Sequence, residues 1–425
     1  MKRRIWLAVA AGMLVGATMP GVVSAGGPAT AWTRQFGTDA RDLAIDVAVD
    51  GKRNVYVTGR TFGSFPGQVN QGGADVFVRK YKPNGGVAWT RQFGTSGFDS
   101  GNGIAVDRKG AIYVVGRVDS ALPGQSTSGS NDAFIRKYKP GGGVAWTRQF
   151  GSAAADDALG VAIDRRNRIY VVGDTSGALP RQSNKGGADG FVRRYRTGGG
   201  VVWTRQFGTS GSDRPRGVSA DRFGRIYVAG YTDGRFPRQK QRGAQDGFVR
   251  RFAPSGQTRW TRQFGTGSSD FALRVATDRR GRIYVTGYTE GRFARQKSRG
   301  FEDAFLRAFK PGGQTRWTRQ FGSSSGDIGE SVATDAGGAI YVTGSVNASL
   351  AGQAHKGNDD VFLRRFGPDG KVRWTRQFGT AEGESGLGVA VDDRRRIAIA
   401  GLTGGKLPGQ PDPGDLDAFA RVYRQ

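Results

Sequence analysis

The hexapeptide Trp-Thr-Arg-Gln-Phe-Gly begins at Trp32, Trp89, Trp146, Trp203, Trp260, Trp317 and Trp374, a constant step of 57 residues. A chain that repeats itself at such a period is built from one supersecondary unit stacked on copies of itself, because a single unit cannot bury its own apolar face. Two aspartate columns keep the same step. One closes an apolar run at Asp50, Asp107, Asp164, Asp221, Asp278, Asp335 and Asp392; the other opens a run at Asp75, Asp132, Asp189, Asp246, Asp303, Asp360 and Asp417. Between them lies an Ile-Tyr-Val type of run, with tyrosine in six units and Ala398 in the last.

Each unit holds four short β-type segments and no helical period. In the second full unit they are residues 104–107, 112–116, 132–138 and 144–150. Turn residues separate them: Arg108-Lys109-Gly110 between the first two and Pro140-Gly141-Gly142 between the last two. Glycine supplies the positive φ of tight hairpins, so the unit is an antiparallel meander. The first segment is small or β-branched, as in Gly160-Val161-Ala162-Ile163, which suits strands crowded at an axis; the fourth carries Trp, Arg and Phe on one face, to be buried between neighbouring units. The sequence opens its repeats with a fourth segment at Ala31-Trp32 and ends after a third segment at Tyr423. The expected fold is therefore all-β, a seven-bladed β-propeller with four antiparallel strands per blade, closed when the first segment completes blade seven and removes the exposed edges of an open array.

These motifs resemble the bacterial seven-bladed β-propeller repeat family. Its Gly-Val-Ala-Val-Asp, Val-Tyr-Val-Thr-Gly, Asp-Ala-Phe-Val-Arg-Lys-Tyr and Trp-Thr-Arg-Gln-Phe-Gly segments are matched by residues 103–107, 112–116, 132–138 and 146–151. The resemblance covers residues 31–425 and implies the propeller fold and a surface or secreted setting. It brings no catalytic residue to carry over. Blade seven departs from the pattern at Ala398 and Glu384.

Lys2-Arg3-Arg4, an apolar stretch from Ile5 to about Thr18 and the small residues Val23-Ser24-Ala25 read as a signal peptide, residues 1–25, leaving 26–425 as the propeller. The expected setting is secreted or periplasmic, with association at the cell surface as a further option, no transmembrane segment after cleavage and a monomeric chain. Cysteine is absent, which excludes disulfides, thiol catalysis and thiolate metal sites. A formal charge of +28 favours anionic partners. Nucleic acid fits that charge but not export, whereas an anionic envelope glycan fits both; a protein partner is the other expected class.

Two sets of residues are candidates for binding. Arg235, Arg238, Lys240 and Arg242, with Arg292, Arg295, Lys297 and Arg299, crowd the long loops of blades four and five around Phe236 and Phe293, as a site for an anionic polymer. Asp42, Asp99, Asp156, Asp213, Asp270, Asp327 and Glu384 stand in the fourth-to-first connections, either as a carboxylate ring at the channel mouth that takes cations or polyols, or as caps on backbone N–H groups of their own loops. Arg34, Arg91, Arg148 and their equivalents are expected to form half-buried bridges with an aspartate column. Catalysis has little to rest on. His355 is the single histidine, no nucleophile-elbow motif or phosphate loop is present, and Asp412 to Asp417 lacks calcium-loop spacing. No cofactor is expected. The function reads as a non-catalytic binding or structural scaffold, with a carbohydrate-active hydrolase or lyase using channel-mouth carboxylates as the alternative.

Overall fold

A computed structural model describes residues 27–424, so the leader segment read from the sequence lies outside the described residues. Twenty-eight strands run from β1 (Ala29–Phe36) to β28 (Asp417–Arg424) and form seven four-stranded antiparallel sheets. Blade three shows the plan: β10 (Asp156–Ile163), β11 (Ile169–Thr175), β12 (Asp189–Tyr195) and β13 (Val201–Phe207) pair in chain order. Blade seven is made of β26 (Glu384–Val391), β27 (Ile397–Thr403) and β28, and β1 supplies its outermost strand in antiparallel register from Ala29 opposite Arg424 to Phe36 opposite Ala418. The ring is closed through its first strand. Among the described residues no helix is long and apolar enough to cross a membrane.

Each letter of the hexapeptide has a separate task. In blade two, Trp146 packs between Tyr113 of its own blade and Tyr195 of the next, and its Nε1 donates to the Thr197 carbonyl at 3.1 Å. Thr147 accepts a hydrogen bond from Arg136 on the neighbouring strand. Gln149 clamps the long loop: its Nε2 donates to Asp132, its Oε1 accepts from the Leu122 N–H, and its own N–H donates to Gln125. Phe150 meets Phe191 of blade three edge-on with centroids 5.6 Å apart, so blade-to-blade cohesion is aromatic. Gly151 ends the strand where a Cβ would strike the Asp132 carboxylate.

Arg148 does not behave as expected. It is exposed, donates to the adjacent Thr147 carbonyl and lies over Trp146, while Arg34, Arg91, Arg262 and Arg319 donate to glycine carbonyls of the next blade's hairpin. None of these five has a carboxylate within ion-pair distance. The aspartates that were to receive them are already taken by glutamine and backbone N–H groups. Arg148→Ala is therefore expected to move the thermal midpoint by less than about 2 °C, as for an ordinary surface site, checked by calorimetry.

Every innermost strand carries a bulge one step before its small-residue run, between Ala158 and Gly160 in blade three and at the same place in the other six. The bulge presses a carbonyl onto the second strand. A Cβ at Gly173 would lie 1.8 Å from the Asp157 oxygen, which explains the glycine that ends each Ile-Tyr-Val run. It also re-aims the extra residue, and in four blades that residue, Ile45, Asn102, Leu159 and Arg216, lines a cavity in the central channel.

Candidate functional site

The second-to-third and fourth-to-first connections meet on one face of the ring; the Asp99 N–H donates to the Ala74 carbonyl between two such loops. The predicted acidic column lies on this side but beneath its surface. Asp42, Asp99, Asp156, Asp213, Asp270, Asp327 and Glu384 are all at most 1 % exposed. Asp156 accepts from the Ser152 N–H and hydroxyl, Asp213 from the Thr209 N–H and hydroxyl, and Glu384 from the same groups of Thr380. Of the two roles weighed for them, loop capping is the one their hydrogen bonds serve. Burial pushes their pKa values up, to about 6 for Asp99 and about 7 for Asp327. In the acidic run of blade seven, Asp417 and Asp412 both accept from the Gln35 side-chain amide. His355 is half-buried with its Nε2 3.1 Å from the Asn358 carbonyl oxygen, and no group of metal-ligating residues occurs among the described residues.

The basic loops are open. Arg235, Arg238, Lys240, Arg242, Arg292, Arg295, Lys297 and Arg299 are all exposed, and none forms an ion pair. Their two phenylalanines are not stacking platforms. Phe236 and Phe293 are buried core, in the place that Leu122, Leu179 and Leu350 fill in other blades. Beside them each loop makes a four-residue turn closed by an N–H to C=O bond, as from Gln239 to Phe236. Its third residue is left-handed: Gly67, Gly124, Gly352 and Gly409 in four blades, but Arg181, Arg238 and Arg295, with φ near 60°, in blades three, four and five. A side chain at such a position costs about 1 kcal/mol or more relative to glycine. Arg181 and the exposed Lys185 thus extend the basic surface to a third blade, a continuation that the blade-four and blade-five charge density alone did not reveal.

The mouth of the channel is where the blades differ most. Facing cross-strand pairs on the first two strands are Leu43–Arg60, Ser100–Arg117, Asp157–Asp174, Arg214–Tyr231, Phe271–Tyr288, Ile328–Ser345 and Ser385–Leu402 in successive blades. Phe271 stacks on Tyr288 at 4.6 Å and meets Tyr231 edge-on at 4.9 Å, so one side of the mouth is aromatic and the opposite side is charged. On the charged side Arg60 and Arg117 both lie over Phe98, and Arg117 reaches Asp157 at 3.9 Å. Burial and the neighbouring Asp157 carboxylate push Asp174 up to about 7. Deeper in the channel Asp46 accepts the Ile104 N–H, and Arg274 and Arg216 face Glu330. A cavity of about 360 Å³ opens among these groups.

A ring of seven antiparallel blades, closed by a terminal strand and presenting one asymmetric mouth, defines a β-propeller scaffold. The SBBP family model, described as a beta-propeller repeat, matches residues 31–66, 88–120, 145–180, 202–237 and 259–294. Five of the seven repeats are thus SBBP beta-propeller repeats. The regulatory protein FlaEY of Caulobacter vibrioides is 27% identical over 184 residues, which is 40% of this chain but 18% of that relative, so the chain spans under a fifth of its length. Among solved structures, the WD40 domain of Neurospora crassa Pan2 superposes with a TM-score of 0.52 at 11% identity, covering 90% of this chain and 89% of that one. The polysaccharide lyase Uly1 gives 0.51 at 13% identity, covering 91% and 90%. At such identities the likeness is one of fold.

Proposed function

We propose that the protein is an exported, non-catalytic binding propeller, secreted or periplasmic, whose loop face holds an anionic cell-envelope polymer. The observation that carries this reading is the set of arginines at left-handed turn positions in three consecutive blades, where glycine serves in the other four. Folding favours glycine there, so the side chains answer to something outside the fold. With Arg235, Lys240, Arg242 and their blade-five equivalents they make a cationic surface in which exposed Asp233 and Glu290 are outnumbered and no basic group is ion-paired, and Arg242 and Arg299 further lower the pKa values of Arg307 and Arg364. Such a surface binds a polyanion by releasing counterions and loses it as salt rises. An acidic protein partner would use the same groups.

Replacing Arg181, Arg238 and Arg295 together by glycine separates binding from folding. The variant is expected to melt higher than the parent, by about 1 kcal/mol per position, and to bind alginate about tenfold more weakly at fixed ionic strength, with a shallower salt dependence. A variant that binds alginate as tightly as the parent would remove this reading. A second reading, hydrolysis or lyase cleavage of such a polymer, finds its support in the Asp157 and Asp174 pair, two carboxyls in different environments at the mouth. Shortened chains after incubation with the polymer would favour it.

A further inference from the structure

We propose that the channel mouth is a second binding site, separate from the basic loops, for one hydroxylated carboxylate of monosaccharide size, with Arg60 and Arg117 as its anion clamp. The two arginines occupy equivalent positions in blades one and two, where the other five blades carry Asp174, Tyr231, Tyr288, Ser345 and Leu402. The fold therefore has no need of arginine there. Their guanidinium carbons stand 5.1 and 4.8 Å from the centroid of the same Phe98 ring, which brings two like charges together at a half-buried place.

The charge at this spot is unbalanced. Arg60 has no carboxylate partner, its Nε is buried without a hydrogen-bond acceptor, and its charged neighbours are Arg117 and Arg41. Arg117 has only the 3.9 Å approach to Asp157. Deeper charges compensate one another, because Arg274 faces Asp46 and Glu330. Two forked cations, one unpaired and the other held only by a long approach to Asp157, match a planar carboxylate, which each can bind through paired N–H groups.

The remaining walls describe the rest of the ligand. Ile45, Leu159 and Phe98 offer apolar surface, and Ser100, Asn102 and Asp157 offer hydroxyl, amide and carboxylate partners. A volume near 360 Å³ lies at the small end of ligand pockets, which span about 300–1,000 Å³, and suits one sugar ring better than a polymer crossing the mouth. Carboxylate, apolar ring face and several hydroxyls together are the chemistry of a uronic acid. It can arrive free or as the last residue of a chain.

Calorimetric titration of the full chain at constant ionic strength tests this with D-glucuronate, with glucose, and with an oligosaccharide that ends in glucuronate. Saturable one-to-one binding of glucuronate or of the oligosaccharide is expected, with none for glucose; binding of the free acid points to a free metabolite, and binding of the oligosaccharide alone points to a chain end. Arg60→Gln and Arg117→Gln should each weaken it about tenfold or more. Arg60→Gln should melt no lower than the parent, because it removes an uncompensated charge, so a loss of binding with an intact fold is readable. The glycine variant of the basic loops should bind glucuronate normally, which keeps failure here distinct from failure of the polymer surface. Absence of binding to both acidic probes, or equal affinity in the Arg60 and Arg117 variants, would overturn the site.

Discussion

Deletion of residues 29–36 is expected to lower the thermal midpoint by more than about 10 °C, or to leave no monomeric folded chain at all. The strand does three things at once. It covers the edge of β28, which would otherwise present unpaired N–H and C=O groups and invite self-association. It places Trp32 and Phe36, each 7% exposed, against blade one: Trp32 lies 5.5 Å from Tyr81, and Phe36 meets Phe77 edge-on at 5.7 Å. It also brings Gln35, whose side chain donates to Asp417 and accepts the Leu407 N–H, and so holds the long loop of blade seven. Truncating one buried aromatic residue typically costs about 3–5 kcal/mol, and two of them alone approach the whole stability of an ordinary domain, about 5–15 kcal/mol. Differential scanning calorimetry and size-exclusion chromatography read the result. A synthetic peptide of residues 27–38 added in trans should restore part of the loss, since β1 joins the ring through side-by-side pairing and does not thread it. A truncated chain that stays monomeric and melts with the parent would show that the ring does not depend on this strand.

The same strand shows why so much of the fold was legible. Ring architecture is written in constant columns: the 57-residue step, the Trp and Phe that join blades, the Gln that clamps each loop and the glycine beneath each bulge. Constancy is also what hid the mouth. Residues such as Arg60, Arg117 and Asp174 occupy a column in which the blades disagree, and a search for repeated chemistry passes over it. The bulge adds to the difficulty, because it turns Asn102 and Arg216 into the channel out of the simple alternation of a strand. Phe236 and Phe293 were misread for the opposite reason: taken within their own loops they look like exposed aromatics, whereas their column, with leucine in other units, marks core. Arg148 and its equivalents looked like bridge partners because each unit has aspartate to spare, yet those aspartates cap loops. The buried arginines are a different column, on the adjacent third strand, where Arg136 pairs with Thr147 and so points to the opposite face from Arg148.

That column is Arg79, Arg136, Arg193, Arg250, Arg307, Arg364 and Arg421 on the third strands, half-buried at Arg307 and Arg421 and buried in the other five blades, and Arg364→Ala is expected to destabilise the protein by about 3 kcal/mol. Arg364 is 8% exposed; its guanidinium stands 4.7 Å from the centroid of Phe321 in the preceding blade, and its Nε donates to Thr375 at 2.9 Å. It has no ion-pair partner, and burial pushes its pKa down to about 10, which leaves it charged at neutral pH. Cutting this long, buried side chain back to alanine empties the volume it fills against Phe321, a truncation that typically costs about 2–5 kcal/mol, and the orphaned Thr375 hydroxyl accounts for no more than about 1 kcal/mol of the loss. The dry site also penalises the charge, so an uncharged side chain of similar length should serve nearly as well. Arg364→Met is accordingly expected to lie within about 1 kcal/mol of the parent in urea denaturation, with its sulfur against Phe321, whereas Arg364→Lys, which cannot lie flat on the ring, should fall between Met and Ala. If alanine costs nothing, the guanidinium is not packing blade six onto blade five; if methionine costs as much as alanine, the charge and its hydrogen bond, and not the filled volume, hold the two blades together.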